Sequence, residues 1–207
     1  MSLTERDVLL VVDIQNDFLP GGALAVAGGD AVVPKVNALA HRFTHTALTQ
    51  DWHVAGHLSF ASSHPGRAPF ETVTMPYGPQ VLWPDHCVQG TRGAEFSPAL
   101  AIPQAELVVR KGYRREIDSY SAFVEADLRT RTGLAGYLRE RGIERVFLAG
   151  LATDFCVAYS AVDARDAGFA VVVIEDACRA IDTGGSLAAA WKRMNEAGVL
   201  RATSERL

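Results

Sequence analysis

Short runs of aliphatic and β-branched residues recur along this chain, separated by stretches of helical periodicity, and that alternation restricts the fold more than any other feature. "VLLVVDI" (8–14) is a continuous apolar run, as expected of a strand covered on both faces. "HTALTQD" (45–51), "ELVVRK" (106–111), "RVFLAGL" (145–151) and "AVVVIED" (170–176) read as four more strands, and "VLRAT" (199–203) as a sixth. A helix is expected over 30–43, where Val33, Val36, Leu39, Ala40 and Phe43 keep a 3.6-residue period, Asp30 can cap and Pro34 falls in the first turn. A second is expected from about 154 to Gly168, capped by Thr153 or Asp154. A third carries Leu187, Trp191 and Met194 on one face and ends at Gly198. Strand–helix alternation predicts an α/β fold with a parallel sheet between helical layers.

The segment 54–105 breaks the rhythm. Seven of the nine prolines lie between Pro65 and Pro103, with little hydrophobic periodicity. A long irregular insertion in a compact domain is usually functional, and this one contains Trp83, His86 and Cys87, so we expect it to form the wall of a site. At 207 residues the chain is read as one domain, 1–207, able to bury about 70% of its unfolded surface.

The composition narrows the partners. A net charge of −4 and the absence of any long Lys/Arg run argue against nucleic acid; "RKGYRRE" is the densest basic cluster. No apolar run approaches the ~20 residues of a membrane helix. "MSLTERD" is charged and runs directly into a strand, unlike a secretory signal. Three cysteines without a CxxC pair suit a reducing cytoplasm. A small-molecule substrate is the expected partner, and a homo-oligomer is open.

In an open parallel sheet, ligands bind beyond the carboxyl ends of the strands. Asp13 closes the first strand, Asp51 the second and Lys111 the third, while Cys156 follows the fourth. A cysteine in the first turn of a helix faces unpaired N–H groups and the positive end of the dipole, which lowers a thiol pKa and favours a nucleophilic thiolate. Asp13 is the expected general base and Lys111 its counter-ion. In "DWH" (51–53), Asp51 and His53 point to one side of an extended segment, and His86 of "WPDHC" offers a third metal ligand. His57, His64 and Cys87 compete for that role. One carboxylate and two imidazoles leave positions open, which suits one divalent ion: Zn²⁺, Fe²⁺ or Mn²⁺.

These strings together resemble the nicotinamidase branch of the isochorismatase-like cysteine hydrolases. The resemblance is carried by "VVDIQNDFLPGGALAV" (11–26), "TQDWH" (49–53), "WPDHCVQGT" (83–91), "RKGYRREIDSYSAF" (110–123) and "GLATDFCV" (150–157), in the family's order. It implies a three-layer α/β/α sandwich around a mainly parallel six-stranded sheet of Rossmann-like strand order. It implies a triad of Asp13, Lys111 and Cys156, and a metal, Zn²⁺ first, on Asp51, His53 and His86, with His57 as a further candidate ligand. It also implies a cis peptide between Leu151 and Ala152 and an oxyanion hole from the backbone N–H groups of Ala152 and Cys156. Phe18 and Trp83 match positions that sandwich a flat heterocycle, with Gln15 and Tyr120 nearby. The activity implied is hydrolysis of nicotinamide, and of pyrazinamide, through a thioester, within NAD salvage. The alternative of the same family is a ureido or carbamoyl amidohydrolase; a non-catalytic metal-binding scaffold is the alternative from another class.

Overall fold

The computed structural model describes residues 1–207. Its strands are β1 (Asp7–Val12), β2 (His45–Asp51), β3 (Thr72–Met75), β4 (Gly78–Val81), β5 (Leu107–Lys111), β6 (Arg145–Leu151), β7 (Ala170–Arg179) and β8 (Leu200–Ala202). Its helices are α1 (Val33–Ala40), α2 (Leu134–Glu140), α3 (Ala158–Asp166) and α4 (Ser186–Glu196). Six strands form one sheet in the order β5-β2-β1-β6-β7-β8, and every pairing in it is parallel. Counted along this sheet alone, that is the Rossmann order 3-2-1-4-5-6, whose direction reverses between β1 and β6.

Because side chains alternate across a strand, β1 feeds two cores. Leu9 and Val11 join one apolar cluster with Val33, Val36 and Leu39 of α1. Val8, Leu10 and Val12 join the other, with Leu134 and Leu138 of α2, Ala158 and Ala161 of α3, and Met194 of α4. Helices therefore cover the sheet unequally, one on the first face and three on the second. The first face is completed by the 54–105 crossover from β2 to β5: Trp83, Cys87, Ala94 and Ile102 are buried in the same cluster as α1. This segment takes the place of a crossover helix, so its lack of helical periodicity has a structural reason.

The six sheet strands match the sequence expectation closely, and the departures are local. The first helix is shorter than 30–43: Gly29–Val32 form a 3₁₀ turn before α1, with Pro34 at its start. Helix α2 has no counterpart in the sequence reading, since only Leu134 and Leu138 of its seven residues are buried. The crossover contains an antiparallel hairpin, β3–β4, that its proline content concealed. No helix is long and apolar enough to cross a membrane.

Candidate active site

The order of strand addition reverses between β1 and β6, and the chemistry collects at the carboxyl ends around that point. Asp13 follows β1 directly in a left-handed conformation (φ 48°) that Asp tolerates better than most residues. Thr49 of β2 holds it: Thr49 Oγ1 donates to Asp13 Oδ1 at 2.6 Å and accepts from Asp13 N–H at 3.1 Å. Beyond β6, the Leu151–Ala152 peptide is cis, and Thr153–Val157 make a π-helical turn leading into α3. Cys156 sits in that turn. Such turns recur at functional sites.

Lys111 ends β5 with no solvent exposure, and its ammonium is the hub of the cluster. It lies 2.9 Å from Asp13 Oδ2 and 2.8 Å from Asp51 Oδ1, and donates to Ser119 O at 3.1 Å and to Cys156 Sγ at 3.4 Å. The Asp13 contact has the distance of an ion pair without the alignment of a hydrogen bond, and Oδ2 has no other partner. Asp13 and Asp51 each place a carboxylate oxygen within 4.8 Å of Cys156 Sγ and of each other.

Burial sets the protonation states. It pushes the Cys156 thiol well above its ordinary value, with Lys111 opposing and Asp13 and Asp51 reinforcing. Burial likewise raises Asp13 against the pull of Lys111. Lys111 itself is held well above its usual range, because Asp13 and Asp51 outweigh its own desolvation. Asp51 is held well below its usual range, since Lys111 and then His53 outweigh burial. This runs against the lowered thiol pKa that a helix start suggests. The helix-start position is real, but desolvation and two carboxylates outweigh it and push the thiol up, beside the Asp13 carboxyl as proton acceptor.

Asp51, His53 and His86 form the second cluster, all buried. Asp51 Oδ2 lies 3.4 Å from His53 Nε2 and 3.6 Å from His86 Nε2. His53 Nδ1 donates to Gly112 O at 2.8 Å and His86 Nδ1 to Pro84 O at 2.8 Å; a carbonyl only accepts, so each ring is held by its Nδ1–H with Nε2 on the side of the carboxylate. Two oriented imidazoles and one carboxylate are a donor set that suits a divalent transition metal. His57 is engaged elsewhere: its Nδ1 accepts from Ser59 N–H at 3.1 Å and its Nε2 donates to Arg114 O at 2.7 Å. His64 Nε2 donates to Leu58 O, and neither it nor Cys87 belongs to the cluster.

One cavity, partly open to solvent, joins Cys156 to the Asp51, His53 and His86 cluster. Cys156, Ala152, Asp51, His53 and His86 meet there, between apolar walls that include Phe18, Trp83 and Tyr120. Tyr120 is fixed by hydrogen bonds its hydroxyl accepts from Trp83 Nε1 (2.9 Å) and Gln80 Nε2 (3.1 Å). Gln15 departs from expectation. It is fully buried, its Nε2 donates to Asp51 O and Ala94 O, and its Oε1 accepts from Asp51 N–H, so it clamps the end of β2 and is absent from the cavity lining. Four lining residues escaped the sequence reading: Leu24, Asp118, Phe155 and Ile181. All four left a signal, since Leu24, Asp118 and Phe155 lie inside the quoted strings and Ile181 follows the carboxyl end of β7.

The profile of the Isochorismatase domain matches residues 7–206. The chain is 58% identical over 207 residues to a nicotinamidase from Acinetobacter baylyi, covering 100% of this chain and 97% of that one. Among solved structures, an Acinetobacter baumanii nicotinamidase/pyrazinamidase superposes with a TM-score of 0.98 at 56% identity, over 99% of both chains. A Pyrococcus horikoshii pyrazinamidase, solved in complex with zinc, gives 0.78 at 34% identity, over 96% of this chain and 99% of that one. Strand order, the cysteine turn beyond β6 and similarity along the whole length agree: the chain belongs to the isochorismatase family.

Proposed function

We propose that this protein is a nicotinamidase, hydrolysing nicotinamide to nicotinate and ammonia and acting also on pyrazinamide. The observation that carries the reading is that a thiol, in contact with a buried ammonium and beside a buried carboxylate, lines the same cavity as an Asp/His/His cluster, between aromatic walls. The similarity of the whole chain to nicotinamidases from two Acinetobacter species supports the choice of substrate.

Asp51, His53 and His86 would hold one divalent ion, for which zinc is our choice, and a bound ion there would supply an electrophilic seat for a ring nitrogen. Phe18, Trp83 and Tyr120 hold the flat ring. As the carboxamide carbon nears Cys156, Asp13 takes the thiol proton and the sulfur attacks. Lys111 stabilises the sulfur anion, being the cation in contact with it. The backbone N–H groups of Ala152 and Cys156 serve as donors to the developing oxyanion; losing one such donor typically costs about 10²–10³ in rate. Asp13 returns its proton to the departing nitrogen, which leaves as ammonia, and a thioester remains on Cys156. Asp13 then takes a proton from the attacking water and gives it to the sulfur as the product leaves as the carboxylic acid, which ionises to nicotinate in water, restoring the starting thiol. Gln15 fixes Asp51 and does not touch the substrate.

On this reading the span 1–207 serves one site, with the 54–105 crossover as its wall. The reaction belongs to pyridine-nucleotide salvage in the cytoplasm. Ammonia release from nicotinamide and pyrazinamide by the purified protein, with elemental analysis, tests it. Turnover with about one metal per chain, abolished in Cys156→Ala, is expected; an inactive wild type, or undiminished turnover in Cys156→Ala, refutes it.

A further inference from the structure

Asp154 stands two residues before the nucleophile, is 3% exposed and has no cation among its hydrogen-bond partners. An unpaired carboxylate is costly to bury unless donors satisfy it. All three of its donors come from one place: Ile181 N–H (3.1 Å), Asp182 N–H (2.8 Å) and Ser186 Oγ–H (2.5 Å). These lie in and just after 180–185, the loop that joins β7 to α4. Ile181 lines the cavity and is only partly buried, as is Phe155, the residue between Asp154 and Cys156. Leu24, Trp83, Ala152 and Cys156, which share that lining, are buried. With Tyr120, which is also partly buried, Ile181 and Phe155 therefore mark the mouth.

The loop has few other restraints. Asp182, Gly184 and Gly185 have left-handed backbone (φ 52°, 57° and 82°), so this short segment turns sharply on itself. Asp182 caps α4 through Leu187 N–H at a long 3.3 Å, and Ser186 N–H closes a turn on Thr183 O at 3.1 Å. The bonds that tie the loop to the cysteine turn all converge on the Asp154 carboxylate. Its partners are backbone amides on the carrier of Ile181, so its position and that of Ile181 are mechanically linked.

We propose that Asp154 is a positioning residue that latches the 180–185 loop to the nucleophile turn, seating Ile181 as the adjustable wall that decides which ring carboxamides reach Cys156. This deepens the nicotinamidase reading and rests on it for the identity of the substrate. The latch itself is a matter of access to a thiol and can be read without any substrate.

Two reagents of different girth read it directly: iodoacetamide and its N-benzyl derivative, with modification at Cys156 followed by mass spectrometry. The wild type is expected to favour the small reagent. In Asp154→Asn one oxygen is exchanged for an amide that faces donors, and in Ile181→Ala the wall is cut back. Each should lower the small-to-bulky rate ratio by about tenfold, the scale of discrimination that apolar pocket walls provide. The double variant should lower it no further than the larger single, because both act through one wall. Ser186→Ala, which removes one donor and leaves the carboxylate, should shift the ratio the same way by less, and keeps the test open if Asp154→Asn does not fold. With nicotinamide, Asp154→Asn should raise KM more than it lowers kcat.

A wild-type rate ratio in Asp154→Asn or Ser186→Ala, with Ile181→Ala loosened, overturns the latch. So does an equal fall with both reagents in Asp154→Asn, which would mean that the sulfur and not the wall was disturbed. A wild type that alkylates selectively but leaves nicotinamide untouched removes the substrate assignment and leaves the latch standing.

Discussion

Replacing Lys111 by methionine keeps the bulk of the side-chain stem and deletes one buried ammonium. The structure gives a large expected cost. The nitrogen lies 2.9 Å from Asp13 and 2.8 Å from Asp51, and both Lys111 and Asp13 are fully buried. Its removal leaves two carboxylates, charged in water, facing each other in the interior. Removing one partner of a buried pair costs about 3–5 kcal/mol, a large share of the roughly 5–15 kcal/mol that holds a domain folded. For a chain of this length, each kcal/mol is worth about 2–4 °C in Tm, so Lys111→Met should melt about 6–20 °C lower. Urea unfolding and calorimetry on chelator-treated protein measure this without compensation by a metal at Asp51. Adding Asp13→Asn removes one orphaned charge, so the double variant should recover at least about 1 kcal/mol relative to the sum of the singles. Lys111→Met within about 1 kcal/mol of wild type, or strict additivity of the double, would refute the view that this ammonium holds the two carboxylates in place.

Two other perturbations reach different parts of the molecule. Gly112 has φ +65°, and a Cβ there would lie 2.6 Å from His53 Cε1, while its carbonyl orients the same ring; Gly112→Ala should weaken metal binding about 10–100-fold, read by competition with a chromophoric zinc chelator, and an unchanged affinity would contradict the assigned ligand set. Far from the site, Asp176 accepts from Lys35 Nζ at 2.7 Å and Ser204 Oγ at 2.6 Å, and these bonds outweigh its burial and hold the carboxyl down to about 2. A depressed acid contributes stability above its unfolded value near 3.8 and loses it as pH falls through about 2. Asp176→Asn should therefore cost about 1 kcal/mol at neutral pH, the scale of a partly screened pair, and cost progressively less between pH 4 and 2 in urea midpoints; a pH-independent deficit would show that the charge is not what matters.

The sheet was legible because parallel strands buried on both faces leave continuous apolar runs, and the rim was legible because a polar residue closing such a run needs a partner. Asp13, Asp51 and Lys111 were found in that way. Helix α2 left almost no trace, since a seven-residue helix that buries two leucines has no sustained period. The β3–β4 hairpin was hidden for a related reason: it is short, its residues are mostly partly exposed, and Pro79 lies within it.

At the site the line falls between identity and environment. Residue types and spacing name a thiol, its base, a cation and a metal-binding set, because each chemistry admits few side chains. They do not say how dry the site is. A helix start alone predicts a lowered thiol pKa at Cys156; its own burial, with Asp13 and Asp51 beside it, pushes the thiol up against the pull of Lys111. Gln15 belongs to the same motif as Phe18, yet only the fold shows one clamping Asp51 and the other lining the cavity.

The sequence by itself determined the strand pattern, the place of each reactive residue at the end of a strand, and the family, since these depend on local pattern and on the order of motifs. Tertiary structure alone decided which polar atoms are spent on one another: His57 on Ser59 and Arg114, Asp154 on the 180–185 loop, Lys111 on two carboxylates at once. Hydrogen-bond partners and desolvation are set by segments distant in the chain, and no window along the sequence contains them.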